Sequence, residues 1–128
     1  MLIVVVDNSN IAGDADFPEP DLPKYGWEQF PELSKEDLAI RCWRAEVVVS
    51  AALTIDKSII DKSFQLKLIV AAGDPTEHID RVAAAERGIK VCHVPGLDPA
   101  NADTSEALCN QVIEVINSFY RNELMHEV

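Results

Sequence analysis

The chain has 128 residues, of which 48% are hydrophobic, and this size fits one compact domain with its own core. Its formal net charge is −11 at pH 7. Because Lys and Arg are few and scattered singly, the composition argues against the basic stripe that a nucleic-acid or anionic-membrane partner requires.

Short apolar runs rich in Val and Ile predict four buried strands, as in a parallel sheet covered on both faces. They are Leu2–Val6, Glu46–Ser50, Leu66–Ala71 and Lys90–Val94. Four prolines break up residues 12–33, where only the segment 25–30 is a candidate for a short edge strand.

Helix signals lie between and after these strands. Ser34 is a candidate N-cap for a helix to about Arg44, and Thr54 for a helix to about Lys62. A third helix is predicted from about Pro75 to Arg87 with Gly88 ending it, and a fourth from Asp103 to about Leu124. The alternation predicts one domain, residues 1–128, with an α/β fold: a flavodoxin-like, doubly wound, open parallel sheet.

In such sheets ligands bind outside the carboxyl ends of the strands. Asp7 and Asn8 follow the first strand there, where they are either turn formers or ligand contacts. The complete set of candidate crevice residues is Asp7, Asn8, Ser50, Ala51, Ala72, Gly73, Asp74, Pro75 and His93.

No motif among these residues specifies a reaction. The five glycines are isolated and form no nucleotide-binding turn, so no cofactor site is predicted in this chain. The three histidines lack the spacing of a metal site, His78 is expected to be solvated in the first turn of the third helix, and no catalytic residue is identified. The three cysteines show no C-x-x-C spacing and predict buried, reduced thiols. With no basic leader and no apolar run near the about 20 residues of a membrane span, we expect a cytoplasmic protein.

Residues 45 to about 106 nevertheless resemble a known family. The matching segments are "AEVVVSAALTIDKSII", "LKLIVAAG", "HIDRVAAAERGIKVCHVPG" and "TSEALCNQVI". They resemble the substrate-binding, or catalytic, domain of the D-isomer-specific 2-hydroxyacid dehydrogenases.

The resemblance implies a partner domain that binds NAD and is inserted after the helix that begins near Thr104. It also implies that the catalytic Arg, Glu and His come from that inserted region, to which no position of this chain corresponds. NAD is therefore implied only by the resemblance. The family holds the substrate carboxylate on backbone N–H groups of a loop close to A-G-x-G, where this chain has Ala72, Gly73, Asp74 and Pro75. Pro75 replaces the second glycine and has no N–H to offer.

Three hypotheses follow. The first is a stand-alone substrate-domain homologue, inactive by itself, that acts as a small-ligand or protein-interaction module. The second is part of an NAD-dependent oxidoreductase acting on 2-hydroxy acids, with the NAD-binding half missing or on another chain. The third, ranked below both, is an unrelated flavodoxin-like signalling domain.

Two structural expectations accompany the first hypothesis. The last helix carries two apolar stripes, one of which would need the missing domain to cover it, so we predict a homodimer built on that helix. The stripes are Leu108, Val112, Val115 and Phe119, and Ile113, Ile116, Tyr120 and Leu124.

The second expectation concerns "DPTE" (74–77), which has the form of a helix capping box with Asp74 as the N-cap. The segment is either an ordinary cap or a cap whose carboxylate occupies the place of a substrate carboxylate.

Overall fold

A computed structural model describes all residues from 1 to 128 and contains one five-stranded sheet flanked by helices. Its strands all pair in parallel, in the order β2-β1-β3-β4-β5. The order is that of the flavodoxin-like doubly wound sheet, so the predicted fold class is confirmed, as is the edge strand within residues 25–30. The strands are β1 (Leu2–Val5), β2 (Gly26–Gln29), β3 (Val47–Ser50), β4 (Leu68–Ala71) and β5 (Lys90–Cys92).

Four α-helices complete the domain: α1 (Lys35–Cys42), α2 (Lys57–Lys62), α3 (Arg81–Glu86) and α4 (Ser105–Tyr120). Ser34 caps α1 as predicted, because its hydroxyl accepts a hydrogen bond from the N–H of Asp37 at 3.1 Å. Gly88 follows α3 with φ +70°, a backbone conformation that suits glycine, so its predicted role at the helix end is also confirmed. None of these helices is long and apolar enough to cross a membrane.

Two predicted helix starts are wrong for one shared reason. Helix α2 is capped by Asp56 instead of Thr54, and α3 by Asp80 instead of Asp74. Between these caps and the preceding strands, Ile55 and Ile79 form an isolated parallel bridge. That pairing keeps both loops extended, so neither helix can begin earlier.

The last helix is shorter than predicted, since it ends at Tyr120 and not near Leu124. Asn122 has φ +60°, which takes the chain out of the helix. The final residues then run back along the outer edge of β5, where the N–H of His93 donates to the carbonyl of His126 at 3.1 Å. The N–H of Val128 donates to the carbonyl of Val91 at 2.9 Å.

The sheet is covered by separate apolar cores on its two faces. Helices α1, α2 and α3 cover one face, and α4 packs on the other together with the proline-rich segment after β1. Most of both stripes of α4 lies in this second core: Ile113 is 2% exposed and Ile116 is 0% exposed, and Ile11 and Ala15 belong to the same cluster, whereas Tyr120 is 50% exposed. The chain itself therefore covers most of the stripe that the predicted homodimer was expected to cover. The homodimer stays an untested prediction, and only the exposed Tyr120 remains of its premise.

Candidate functional site

The first candidate residue, Asp7, lies just after β1, beside the point where the strand order reverses between β1 and β3. Its side chain is buried, with 1% of the residue exposed. The carboxylate accepts hydrogen bonds from three consecutive N–H groups after β3, those of Ala51 (2.8 Å), Ala52 (2.8 Å) and Leu53 (2.7 Å). The side-chain amide of Asn10 donates a fourth bond at 2.7 Å. The Asp7 carboxylate thus occupies the crevice at the switch point between β1 and β3.

Asn8 and Ser50 join neighbouring chain segments through hydrogen bonds. The N–H of Asn8 donates to the carbonyl of Phe30 at 3.0 Å. The Ser50 hydroxyl donates to the carbonyl of Leu53 at 2.7 Å, which closes the turn that presents the three amides. The Ser50 carbonyl accepts the N–H of Ala72 at 2.9 Å and therefore joins the loops after β3 and β4.

His78 also contacts the Ser50 carbonyl, with its Nε2 3.1 Å from the oxygen. Because a carbonyl only accepts, this contact places a proton on Nε2. The expectation of a solvated His78 in the first turn of a helix is wrong: the residue lies in the loop before α3 and is half-buried.

The loop Ala72–Pro75, which corresponds to the substrate loop in the resemblance, is closed by the loop after β5. Gly73 is buried with φ +147°, and a Cβ there would lie 2.5 Å from Cδ of Pro99. The N–H of Asp74 donates to the carbonyl of Leu97 at 2.7 Å, and Pro75 has no N–H. Neither residue 74 nor residue 75 therefore has a free backbone donor for an added carboxylate.

The Asp74 side chain does not cap α3, so the predicted capping box is wrong. Its carboxylate accepts the N–H of Gly96, in the loop after β5, at 2.6 Å. The Asp74 carbonyl lies 2.9 Å from Nδ1 of His93, which places a proton on that nitrogen. His93 thus contacts the candidate site through Asp74. Both interpretations of "DPTE" take Asp74 as a helix cap, and that cap is absent, because the Asp74 carboxylate is bonded to the backbone amide of Gly96 instead.

The structure therefore brings eight of the nine predicted residues together in two clusters, Asp7 with Ser50 and Ala51, and Ala72–Pro75 with His93. Asn8 belongs to neither cluster and bonds to Phe30. The candidate set omitted several groups that complete them: the amides of Ala52, Leu53 and Gly96, and the ring of His78. The rule that ligand sites lie at the carboxyl ends of strands pointed to these loops. Backbone N–H donors, however, cannot be recognised from the identity of the side chains.

A cavity of about 500 Å³ lies beside the carboxyl ends of the strands, between the segment after Ile11 and the start of α4. Its polar lining is acidic and contains no Lys or Arg; the charged residues are Asp14, Asp16, Asp103 and Glu106. Like charge would disfavour a carboxylate substrate there.

The dinucleotide cofactor implied by the resemblance does not fit the residues of this chain. A pyrophosphate needs a glycine-rich turn that presents backbone donors at the end of β1. Here the turn contains Asp7, Asn8 and Ser9, and the buried carboxylate would repel a phosphate.

The three cysteines are buried and unpaired, as predicted. Burial, assisted by the nearby negative charge of Glu28, raises the pKa of the Cys42 thiol to about 12. Burial likewise raises the pKa of Cys92 to about 12 and that of Cys109 to about 11. Thiols with such pKa values carry almost no thiolate near neutral pH and are poor nucleophiles.

Comparison with known proteins identifies relatives of the whole domain. The family profile of the D-isomer specific 2-hydroxyacid dehydrogenase catalytic domain matches residues 8–127. A candidate 2-hydroxyacid dehydrogenase of Haemophilus influenzae is 30% identical over 96 residues, which cover 75% of this chain and 30% of that protein.

Solved structures of related proteins also superpose on this chain. The NAD⁺-bound 3-phosphoglycerate dehydrogenase of Entamoeba histolytica superposes with a TM-score of 0.63 and 26% identity, over 75% of this chain and 33% of that one. The TT0316 protein of Thermus thermophilus superposes with a TM-score of 0.58 and 27% identity, over 75% of this chain and 31% of that one. The chain thus spans about a third of the length of each of these relatives.

Proposed function

Because this chain belongs to the D-isomer specific 2-hydroxyacid dehydrogenase family and matches its catalytic domain, we propose that it is a substrate-domain homologue that has lost carboxylate binding. In this proposal the domain by itself oxidises no 2-hydroxy acid and acts as an interaction module. The observation that carries the proposal is the closed loop at Asp74 and Pro75.

Carboxylate binding at this loop depends on free backbone donors and on the local charge. A substrate carboxylate in the family rests on N–H groups of this loop. Here the N–H of Asp74 is already bonded to Leu97, the residue at 75 is proline, and the Asp74 carboxylate adds a negative charge to the same place. An incoming carboxylate would therefore meet repulsion and no free donor at either residue.

Exposed apolar side chains on the helical layer support a role in protein interaction. Ile40 on α1 and Trp43 just after it are 62% and 50% exposed, and Phe64 after α2 is 73% exposed. The guanidinium of Arg44 lies 5.5 Å from the Trp43 ring centroid. Trp and Arg are enriched among the residues that contribute most to binding at protein interfaces.

A gain-of-binding variant tests the proposal. The double change Asp74→Val and Pro75→Gly removes the charge and adds one backbone donor. We expect weak, salt-sensitive binding of pyruvate by this variant, seen as saturable shifts of the backbone amides of residues 73–78 in ¹H–¹⁵N spectra. The matched control is Asp98→Val with Pro95→Gly, which makes the same changes in the adjacent loop and should bind no pyruvate. Equal binding by both double variants, or by neither, would contradict the proposal.

A second candidate function is favoured by the coverage of the relatives. Since the chain matches about a third of each dehydrogenase relative, it is also consistent with one part of an NAD-dependent oxidoreductase of 2-hydroxy acids. A coding sequence that continues past Val128 into a strand followed by G-x-G-x-x-G would favour this candidate. Reduction of NAD⁺ by D-lactate in the presence of the 128-residue chain alone would contradict the first proposal.

A further inference from the structure

The buried Asp7 is held without any cation. No Lys, Arg or His nitrogen forms an ion pair with its carboxylate, although the residue is 1% exposed. A buried carboxylate without partners is strongly unfavourable, so the hydrogen bonds it accepts must replace its hydration. Those bonds come from backbone N–H groups and one neutral amide.

The three backbone donors belong to consecutive residues, Ala51, Ala52 and Leu53, and all point at one carboxylate. Successive N–H groups that converge in this way form an anion-binding concavity. The Ser50 hydroxyl closes the same turn, because it donates to the Leu53 carbonyl at 2.7 Å, and this bond does not involve the anion. Part of what holds the donors in place is therefore independent of residue 7.

We propose that the backbone amides of residues 51–53 are a small-carboxylate site that the native chain fills with its own Asp7. The site lies at the switch point between β1 and β3, where sheets of this order bind their ligands. These amides belong to a different loop from Asp74 and Pro75, so this proposal does not depend on the proposed function.

The space vacated by truncating Asp7 defines the size of the ligand. Asp7→Ala removes the carboxylate and keeps Cβ, which leaves room for formate. Asp7→Gly also removes Cβ, which leaves room for acetate. Binding of formate, with three non-hydrogen atoms, should be no tighter than a Kd of about 0.5 mM, and binding of acetate, with four, no tighter than about 40 μM. In the glycine variant acetate should bind about fourfold more tightly than formate, the factor expected for one additional buried carbon.

The experiment compares the full chain and its variants in sodium formate, sodium acetate and sodium chloride at equal ionic strength. Formate should shift the amides of residues 51–53 of Asp7→Ala saturably and should raise its unfolding midpoint by several degrees over chloride. The native chain should show neither effect, because Asp7 competes intramolecularly. The control Asp80→Ala, which removes a carboxylate bonded to the single N–H of Ala83 at 3.0 Å, should also show neither.

Three results would contradict the proposal. If Asp7→Ala is unfolded in chloride, formate should restore its circular dichroism spectrum, and failure of both formate and acetate to do so would overturn the proposal. Equal effects of formate on Asp7→Ala and Asp80→Ala would also overturn it, since they would show a nonspecific salt effect. Loss of the size preference between the Ala and Gly variants would show that the anion does not occupy the vacated position.

Discussion

Truncation of Ile116 to alanine tests whether the second stripe of α4 is internal to the chain. Ile116 is 0% exposed and belongs to the core between α4 and the sheet. Replacing a fully buried Ile by Ala removes its transfer free energy and leaves a cavity, which together cost roughly 2–5 kcal/mol. With a denaturant dependence of about 2 kcal/mol per molar urea, a loss of about 3 kcal/mol lowers the unfolding midpoint by about 1.5 M.

Urea unfolding followed by circular dichroism measures this change, with Tyr120→Ala on the same helix as the control. Tyr120 is 50% exposed, so its truncation should cost less than about 1 kcal/mol. Similar losses for the two variants would refute the assignment of Ile116 to the core. So would a destabilisation by Ile116→Ala that depends on protein concentration, together with sedimentation of the native chain at twice its mass of 14.1 kDa.

Three further predictions concern local features. Because burial raises the pKa of the Cys42 thiol, the unfolded state loses its proton first. The contribution of Cys42 to stability is therefore full below the ordinary thiol pKa of 9.0 and falls as the pH rises towards about 12. In alkaline urea unfolding, Cys42→Ala should reduce this slope, and an unchanged slope would contradict the assignment. The N–H of Ile59 lowers the pKa of Asp56, so Asp56→Ala should cost about 1 kcal/mol above that carboxyl's unperturbed pKa of 3.8 and progressively less in acid; a loss that is independent of pH would argue against the cap. Gly73→Ala should destabilise by roughly 1–3 kcal/mol, because residue 73 has φ +147° and the added Cβ would lie 2.5 Å from Pro99; an unchanged melting temperature would rule this out.

Local patterns were enough to predict the parallel strands, because each is a buried apolar run between turn residues. The Ser34 cap and the glycine after α3 were equally predictable, since both depend on neighbouring backbone atoms. The starts of α2 and α3 were not, because the Ile55–Ile79 bridge joins segments that are distant in sequence. The apolar circumference of α4 predicted that both stripes need cover, but part of the cover within the same chain, Ile11 and Ala15, lies in a segment without a periodic pattern.

The position of the candidate site could be predicted from the sequence, but its hydrogen bonds could not. The carboxyl-end rule selected Asp7 and Asp74. The donors to Asp7 lie 44 to 46 residues away, and the donor to Asp74 lies 22 residues away, and all of them are backbone amides. Because every residue except proline carries such a donor, side-chain identity could not reveal which ones converge.

The central claim, that the family's carboxylate loop is closed in this chain, is tested most directly by titrating the native protein with pyruvate and D-lactate. The backbone amides of residues 73, 74 and 76–78 should be followed in ¹H–¹⁵N spectra at constant ionic strength. We expect no saturable shift at these amides up to about 20 mM of either acid, well above the millimolar affinity expected of a weak carboxylate site. Saturable shifts centred on Gly73 and Asp74 would contradict it.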